Sequence, residues 1–281
     1  MRSEQRCEAV VGKTCDQKLN WPRARGNERV HLFFRNLSVT AIDSRARRDV
    51  VSSPPLFFDH LILHEDGIHD GAWNMAIDQA WLETSDHAVL RIYGWNQPTV
   101  TLGYAQNLAR MKEHLPDWPI VRRWTGGGVV MHDQDHTYSL MIPAVVPWAQ
   151  TPAVQSYEQI HRALARHLVD AGYEGCRLAQ AEDVIEGPLC FTAPALHDVV
   201  SGSLKIAGAG QRRGRLGILH QGSVQNVQMQ PSFWQTWAAQ IAQRVSPVSI
   251  APKSLQNRAA ELVEKRFALS QWLTDRDDLL G

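Results

Sequence analysis

The stretch Arg122-Arg123-Trp124-Thr125-Gly126-Gly127-Gly128-Val129-Val130-Met131-His132 sets three consecutive glycines between two apolar β-type runs. A glycine triplet carries a large backbone entropy cost, so it suits a place where main chain must pass close to another group. Successive N–H groups without side chains can cradle an anion or a carbonyl oxygen. The two arginines ahead of the triplet add fixed positive charge and forked donors. The same residues also fit a bulged hairpin flanked by surface arginines. No Lys-Ser/Thr pair follows, so the segment is not a P-loop.

Around this landmark the apolar spacing alternates between the two regular periods. Leu56–Leu63, Val89–Gly94, Thr99–Leu102, Ile120–Val121, Val129–Met131 and Tyr138–Ile142 read as strands, the second and third joined by the turn Asn96-Gln97-Pro98. Asp70–Glu83 has apolar residues at helical spacing, and Ala153–Ala171 is helical up to Gly172. Asp183–Val224 is β-branched and turn-rich, as in a meander, and two helices close the chain near Ser232–Val245 and Leu255–Phe267. Neighbouring strands with helices set among them predict an α+β fold, with mixed, mainly antiparallel sheets flanked by helices.

The chain has 281 residues, enough for one large domain with its own core. Lys+Arg and Asp+Glu are 29 each, so there is no basic surplus for nucleic acid. No apolar run nears the roughly 18–20 residues that cross a bilayer, and no membrane partner is expected. Residues 1–50 hold 11 Lys/Arg against 6 Asp/Glu and show poor apolar periodicity. Residues 1–54 are therefore expected to form a weakly ordered basic extension, and 55–281 the folded domain. Cys7, Cys15, Cys176 and Cys190 are scattered and form no C-x-x-C pair. They make neither a zinc site nor a disulfide framework, so a cytoplasmic location is expected.

Outside the glycine segment, Cys190-Phe191 precedes Leu204-Lys205-Ile206-Ala207-Gly208. A lysine in an apolar strand is unusual for a solvated face, and a nearby cation lowers a thiol's pKa. A core cysteine and an edge-strand lysine fit the same residues. Cys176 has no such setting and reads as structural. His132 and His136 stand four apart, a helical metal spacing, but their surroundings are β-type and no third ligand is near, so no metal is expected. His132 reads instead as a polar wall. His220 fits either that wall or a strand end.

Together these residues resemble the lipoate–protein ligase A/octanoyltransferase family, from about Phe57 to the final helices. Asn74-Met75-Ala76-Ile77-Asp78 is similar to the family's first helix, and Leu90–Trp95 through Thr101–Gln106 to its next hairpin. Arg122–His132 with Thr137-Tyr138-Ser139 is similar to its acyl-site signature, and Lys205-Ile206-Ala207-Gly208 to its lysine loop. A Cys-Phe dipeptide upstream of that lysine resembles the LipM-type octanoyltransferases and related amidotransferases. Three features depart from the pattern. Gly208-Ala209-Gly210-Gln211 replaces the common Gly-Ser-Ala-Gln. Gly202-Ser203-Leu204-Lys205 carries one residue more than the usual Gly-Arg-Lys, and His220-Gln221-Gly222-Ser223 exchanges the usual Gln and His.

The resemblance implies a biotin/lipoate protein ligase fold and an octanoyltransferase acting through a Cys190 thioester. Cys190 and Lys205 would be the catalytic residues, and Arg123, Gly126, Gly127, Gly128, His132 and Gly208 would bind substrate. The implied donor is octanoyl-acyl carrier protein. The implied acceptors are lipoyl domains of 2-oxoacid dehydrogenases or the glycine cleavage H protein. No cofactor is implied. ATP and Mg would enter only if the chain were instead an ATP-dependent lipoate ligase. The same resemblance is compatible with an amidotransferase between lipoyl-carrying proteins and with a non-catalytic lipoyl-protein binder.

Overall fold

A computed structural model of the chain describes residues 56–184 and 193–280. The extension expected over residues 1–54, and Cys190, lie outside the described residues. The elements in chain order are β1 (Phe58–His69), α1 (Gly71–Thr84), β2 (Ala88–Trp95), β3 (Thr99–Leu102) and α2 (Leu108–Met111). Then come β4 (Ile120–Arg122), β5 (Val130–His132), β6 (His136–Pro143), α3 (Ala153–Asp170) and β7 (Cys176–Leu178). The chain continues with β8 (Val199–Ser201), β9 (Leu204–Gly214), β10 (Gly217–Val224), α4 (Phe233–Ile241) and β11 (Ala242–Val248), and ends with α5 (Lys253–Leu262) and α6 (Ser270–Asp275).

Among the described residues eight strands form one sheet in the order β11-β1-β2-β6-β10-β9-β8-β7, and β4-β3-β5 form a smaller one. Only the β1 pairings with β11 and β2 are parallel in the large sheet, and the rest are antiparallel. The fold is thus α+β with mainly antiparallel sheets. Alternation along the strands divides the core in two. Leu90, Tyr138, Leu140 and Ile218 point to α3 and α4, with Leu164 and Trp237. Their neighbours Val89, Met141 and Leu219 point to α1 and α5, with Ile77 and Leu255.

Helix α1 begins where the Asp70 carboxylate accepts the Trp73 N–H at 2.8 Å, an N-cap that stabilises a helix by about 1 kcal/mol. Every residue from Asn74 to Leu82 is buried, so the helix is enclosed on all sides.

Four sequence expectations change. The strands before and after Asn96-Gln97-Pro98 do not form a hairpin: β2 pairs within the large sheet and β3 in the small one. The turn is the crossing between sheets, and each strand satisfies its backbone on remote partners, β6 for β2 and β5 for β3. The expected helix Ser232–Val245 stops at Ile241, and Ala242–Val248 becomes edge strand β11, in parallel register with β1 from Phe58↔Ala242 to His64↔Val248. Pro247 suits a sheet edge and not a helix interior. The strand at Leu56–Leu63 begins at Phe58 and runs on to His69. The last predicted helix divides into α5 and a π-turn over Val263–Phe267.

Candidate active site

The small sheet and strands β9 and β10 enclose a cavity of about 130 Å³. Met75, Val130, Ala193, Ala195 and Ala209 give it apolar walls, and Arg123, His132, Lys205 and Gln221 are among its polar residues. The glycine segment joins β4 to β5 along one side. Gly127 has φ +93°, a conformation that side-chain-bearing residues rarely adopt. The loop passes so close to its neighbours that a Cβ on Gly210 would lie 2.5 Å from the Gly126 carbonyl oxygen, and a Cβ on Gly103 would overlap that of Gly127. The loop is therefore clamped between the end of β3 and strand β9.

Neither arginine ahead of it is a surface residue, so the segment is not a hairpin flanked by surface arginines. Arg122 is fully buried. It donates to the carbonyls of Gly103, Tyr104 and Gln106 at 3.1, 2.9 and 2.7 Å, and to those of Trp272 and Leu273 in α6 at 3.1 and 2.9 Å. It ties the C-terminal helix to the loop after β3. Arg123 is 5% exposed and lines the cavity. It donates to Thr101 O and Oγ1 at 3.0 and 2.6 Å and to the carbonyls of Gly126 and Gly128 at 3.1 and 2.8 Å. Its fork shapes the glycine loop from within.

Gly127 and Gly208 line the cavity, while Gly126 and Gly128 are not among its lining residues. The Gly126 N–H is spent on the Gln211 carbonyl at 3.3 Å, so among these glycines it is not a donor free for an oxyanion.

At one end of the cavity the Lys205 ammonium pairs with Asp198 Oδ2 at 2.8 Å. Asp198 also accepts the Ala195 N–H at 2.7 Å and the Tyr157 hydroxyl at 2.5 Å. Strand β8 is so short that β9 runs past it, and the Ala209 N–H at the uncovered edge donates to the Tyr157 oxygen at 3.1 Å. Burial, reinforced by the Asp198 carboxylate, pushes the Tyr157 hydroxyl well above its usual value, so it stays protonated. The register between β8 and β9 slips at Ile206: Val200 faces Lys205 and Val199 faces Ala207. Such a bulge re-aims side chains, and it lies beside the extra residue of Gly202-Ser203-Leu204-Lys205.

His132 forms another part of the wall. Its ring stacks on Trp95 with centroids 4.1 Å apart. Nδ1 lies 2.8 Å from Asp135 Oδ2 and Nε2 lies 3.0 Å from Thr101 Oγ1. Burial alone would raise the Asp135 carboxyl, but the charge of His132 and hydrogen bonds from His132, Ser223 and Thr137 hold it below the usual range. His136 instead reaches the Val227 carbonyl. Among the described residues no group of three or more His, Cys, Asp or Glu converges as metal ligands. His220 is buried on β10 between Tyr138 and Gln211, and Gln221, its neighbour in the exchanged pair, faces the cavity.

Beneath the cavity Asp78 gathers Arg91, Ser139 and Gln221 at 2.7, 2.6 and 2.8 Å, and Gln221 accepts the Thr125 hydroxyl at 2.7 Å. This network couples α1 to the glycine loop. Sequence reasoning misses Asp78, Asp135, Tyr157 and Asp198 as members of the site. The available signal for Asp198 is an acid directly before the buried run Val199-Val200, close to Lys205 in sequence. The described chain resumes at Ala193, on the cavity wall, three positions after Cys190.

Comparison with known proteins agrees with this architecture. Octanoyltransferase LipM of Halalkalibacterium halodurans is 30% identical over 177 residues, which cover 57% of this chain and 63% of that protein. Octanoyltransferase LipM of Oceanobacillus iheyensis is 32% identical over 193 residues, covering 64% of this chain and 70% of that protein. The chain therefore spans just under two thirds of the first relative's length and slightly more of the second's. The solved structure of protein Ta0514 from T. acidophilum with bound lipoic acid superposes with a TM-score of 0.59 at 18% identity, covering 76% of this chain and 99% of that one. A family model, the lipoyl protein ligase A/B catalytic domain, matches residues 70–266. That span takes in the small sheet, every strand of the large sheet except β1, and every cavity-lining residue named above, and the chain belongs to the lipoyl protein ligase A/B catalytic-domain family.

Proposed function

We propose that this protein transfers an octanoyl group from acyl carrier protein to a lysine of a lipoyl domain through a thioester on Cys190. The observation that carries the reading is the placement of a buried Lys205–Asp198 pair in a largely apolar cavity whose wall includes Ala193, just downstream of Cys190. In the first step the Cys190 thiolate attacks the donor thioester, and the carrier's thiol leaves. In the second, the acceptor ε-amine attacks the Cys190 thioester, forms the amide, loses its proton and releases the thiolate. Lys205 favours the thiolate and then assists proton movement at the incoming amine. The six internal methylenes of the chain, at about 0.8 kcal/mol each, contribute roughly 5 kcal/mol of binding. A thioester is already activated, so the reaction requires neither ATP nor metal.

Intact-mass measurement after mixing the protein with octanoyl-acyl carrier protein, without ATP, tests the reading. The expected result is one octanoyl adduct that hydroxylamine removes and a lipoyl domain discharges. Turnover only with ATP and free acid identifies a ligase. Transfer only from an octanoylated carrier of the lipoyl-domain type identifies an amidotransferase. No adduct and no turnover with any donor identifies a binder.

A further inference from the structure

The cavity wall formed by His132, Thr137 and Ser223 keeps its protons away from the cavity. Asp135 Oδ2 receives the His132 Nδ1–H at 2.8 Å, the Thr137 hydroxyl at 2.9 Å and the Ser223 hydroxyl. A carboxylate only accepts, so the direction of each bond is set. Arg123 donates to Thr101 Oγ1 at 2.6 Å, and the same oxygen lies 3.0 Å from His132 Nε2, so both ring nitrogens are engaged within the wall. The Trp95 indole N–H is spent on Thr137 Oγ1 at 2.8 Å. Asp135 itself is not among the residues that line the cavity. Its Oδ1 is buried with no hydrogen-bond partner, so the carboxylate serves this wall through one oxygen.

The sheet register gives the wall a place along a bound chain. A Cβ at Gly208 would touch the Lys205 ammonium end, Gly208 faces Ser223, and Ser223 faces Thr137. Two strand-to-strand steps make about 10 Å. An extended eight-carbon acyl chain, with carbon–carbon bonds of about 1.5 Å, spans roughly 9 Å. A chain whose carbonyl lies at Lys205 therefore ends against Thr137, Ser223 and His132. An alkyl end meets no stranded donor there, and a chain with a polar end finds no proton to accept.

We propose that Asp135 makes the cavity selective for an unsubstituted alkyl chain by taking up the protons that His132, Thr137 and Ser223 would otherwise turn into it. The proposal rests on the acyl-group reading above and names a residue that sets its specificity through others. Asp135→Asn keeps the shape of the side chain but removes acceptor capacity and adds a donor, which releases wall hydroxyls into the cavity.

The test is calorimetric binding of octanoate and 8-hydroxyoctanoate to the full chain. Wild-type protein is expected to prefer octanoate, and Asp135→Asn is expected to lower that preference at least tenfold. Adding Trp95→Phe, Thr137→Val and Ser223→Ala to Asp135→Asn removes the released hydroxyls together with the indole N–H that Thr137 Oγ1 accepts, and is expected to restore it, an outcome that a merely structural role does not produce. An unchanged preference in Asp135→Asn protein of wild-type thermal stability overturns the proposal, as does failure of the quadruple variant to restore it. If the single variant does not fold, the quadruple variant carries the test and must show the wild-type preference. Wild-type protein that binds octanoate selectively but never forms an octanoyl adduct sinks the transfer reading and leaves this one standing. Wild-type protein that binds neither acid, or shows no preference, overturns this one whatever its transfer activity.

Discussion

A Cβ on Gly208 would lie 2.6 Å from Cε and 2.8 Å from Nζ of Lys205, so the bare backbone of one residue is the seat of the other's ammonium group. The Asp198 Oδ1 oxygen stands 3.1 Å from the same point. Adding a methyl group there wedges the ion pair apart. Gly208→Ala is expected to slow acyl-enzyme formation by about 10- to 100-fold, equivalent to roughly 1.4–2.7 kcal/mol of barrier. Its stability cost is expected to stay within about 1–3 kcal/mol, the range for overpacking. Stopped reactions followed by intact mass, beside urea unfolding, separate the two effects. Wild-type rates in the folded variant contradict the role given to the pair.

The adjacent arginines divide their work. Arg122 satisfies carbonyls at both the β3 exit and α6, so Arg122→Ala leaves several buried acceptors unpaired. A loss of about 3 kcal/mol or more is expected in urea unfolding. Arg123 holds the glycine loop and lines the cavity. Arg123→Ala is expected to lower kcat/KM more than Arg122→Ala does in protein that is still folded. The reverse order of activities argues against a substrate-facing role for Arg123.

What was legible in the sequence follows from the range of the signal. Helices α1 and α3 appear from their own periodicity, and the glycine triplet announces a loop of special geometry. Arg123, Gly127, His132, Lys205 and Gly208 do meet at one cavity. Strand β11 was not legible, because Ala242–Val248 becomes a strand only by pairing with β1, more than 180 positions earlier. Asp198 and Tyr157 escaped for the same reason: their importance lies in contacts with Lys205 and with the bare edge of β9. Asp135 reads as one more loop acid until Ser223 of β10 and Thr137 of β6 are brought onto it. The burial of Arg122 likewise depends on α6, at the far end of the chain.

Two buried histidines give the fold a defined response to acid. Burial is the main cause that lowers His64 and His161 to about 4, against partial opposition from Asp66 and Asp198. In the unfolded chain a histidine takes its proton near 6.5. Between those values the unfolded state binds more protons, so stability falls as pH drops from about 6.5 to about 4. The slope approaches about 1.4 kcal/mol per pH unit for each histidine. His161→Phe is expected to remove one histidine's share of that slope in urea titrations. A stability profile flat across this window contradicts the prediction.

The cysteines supply the remaining contrast. Cys176 lies half-buried in β7 and outside the cavity, and burial pushes its thiol up, which suits packing and not nucleophilic attack. Cys190 precedes the cavity-lining Ala193 and lies close in sequence to Asp198, the partner of Lys205. Under the proposed function, Cys190→Ser abolishes transfer from octanoyl-acyl carrier protein, because a serine hydroxyl is far less ionised than a thiol at neutral pH. Cys176→Ser keeps most of it. Circular dichroism is expected to be unchanged for both, since the exchange is nearly isosteric. Lys205→Ala slows both the adduct and its discharge, and leaves Asp198 a buried carboxylate without this counter-ion, so its unfolding midpoint also falls. Normal turnover in Cys190→Ser protein sinks the thioester mechanism. If that turnover needs ATP and free acid, Arg123 and Lys205 are left to hold an acyl-adenylate, and Cys190 is a packing residue.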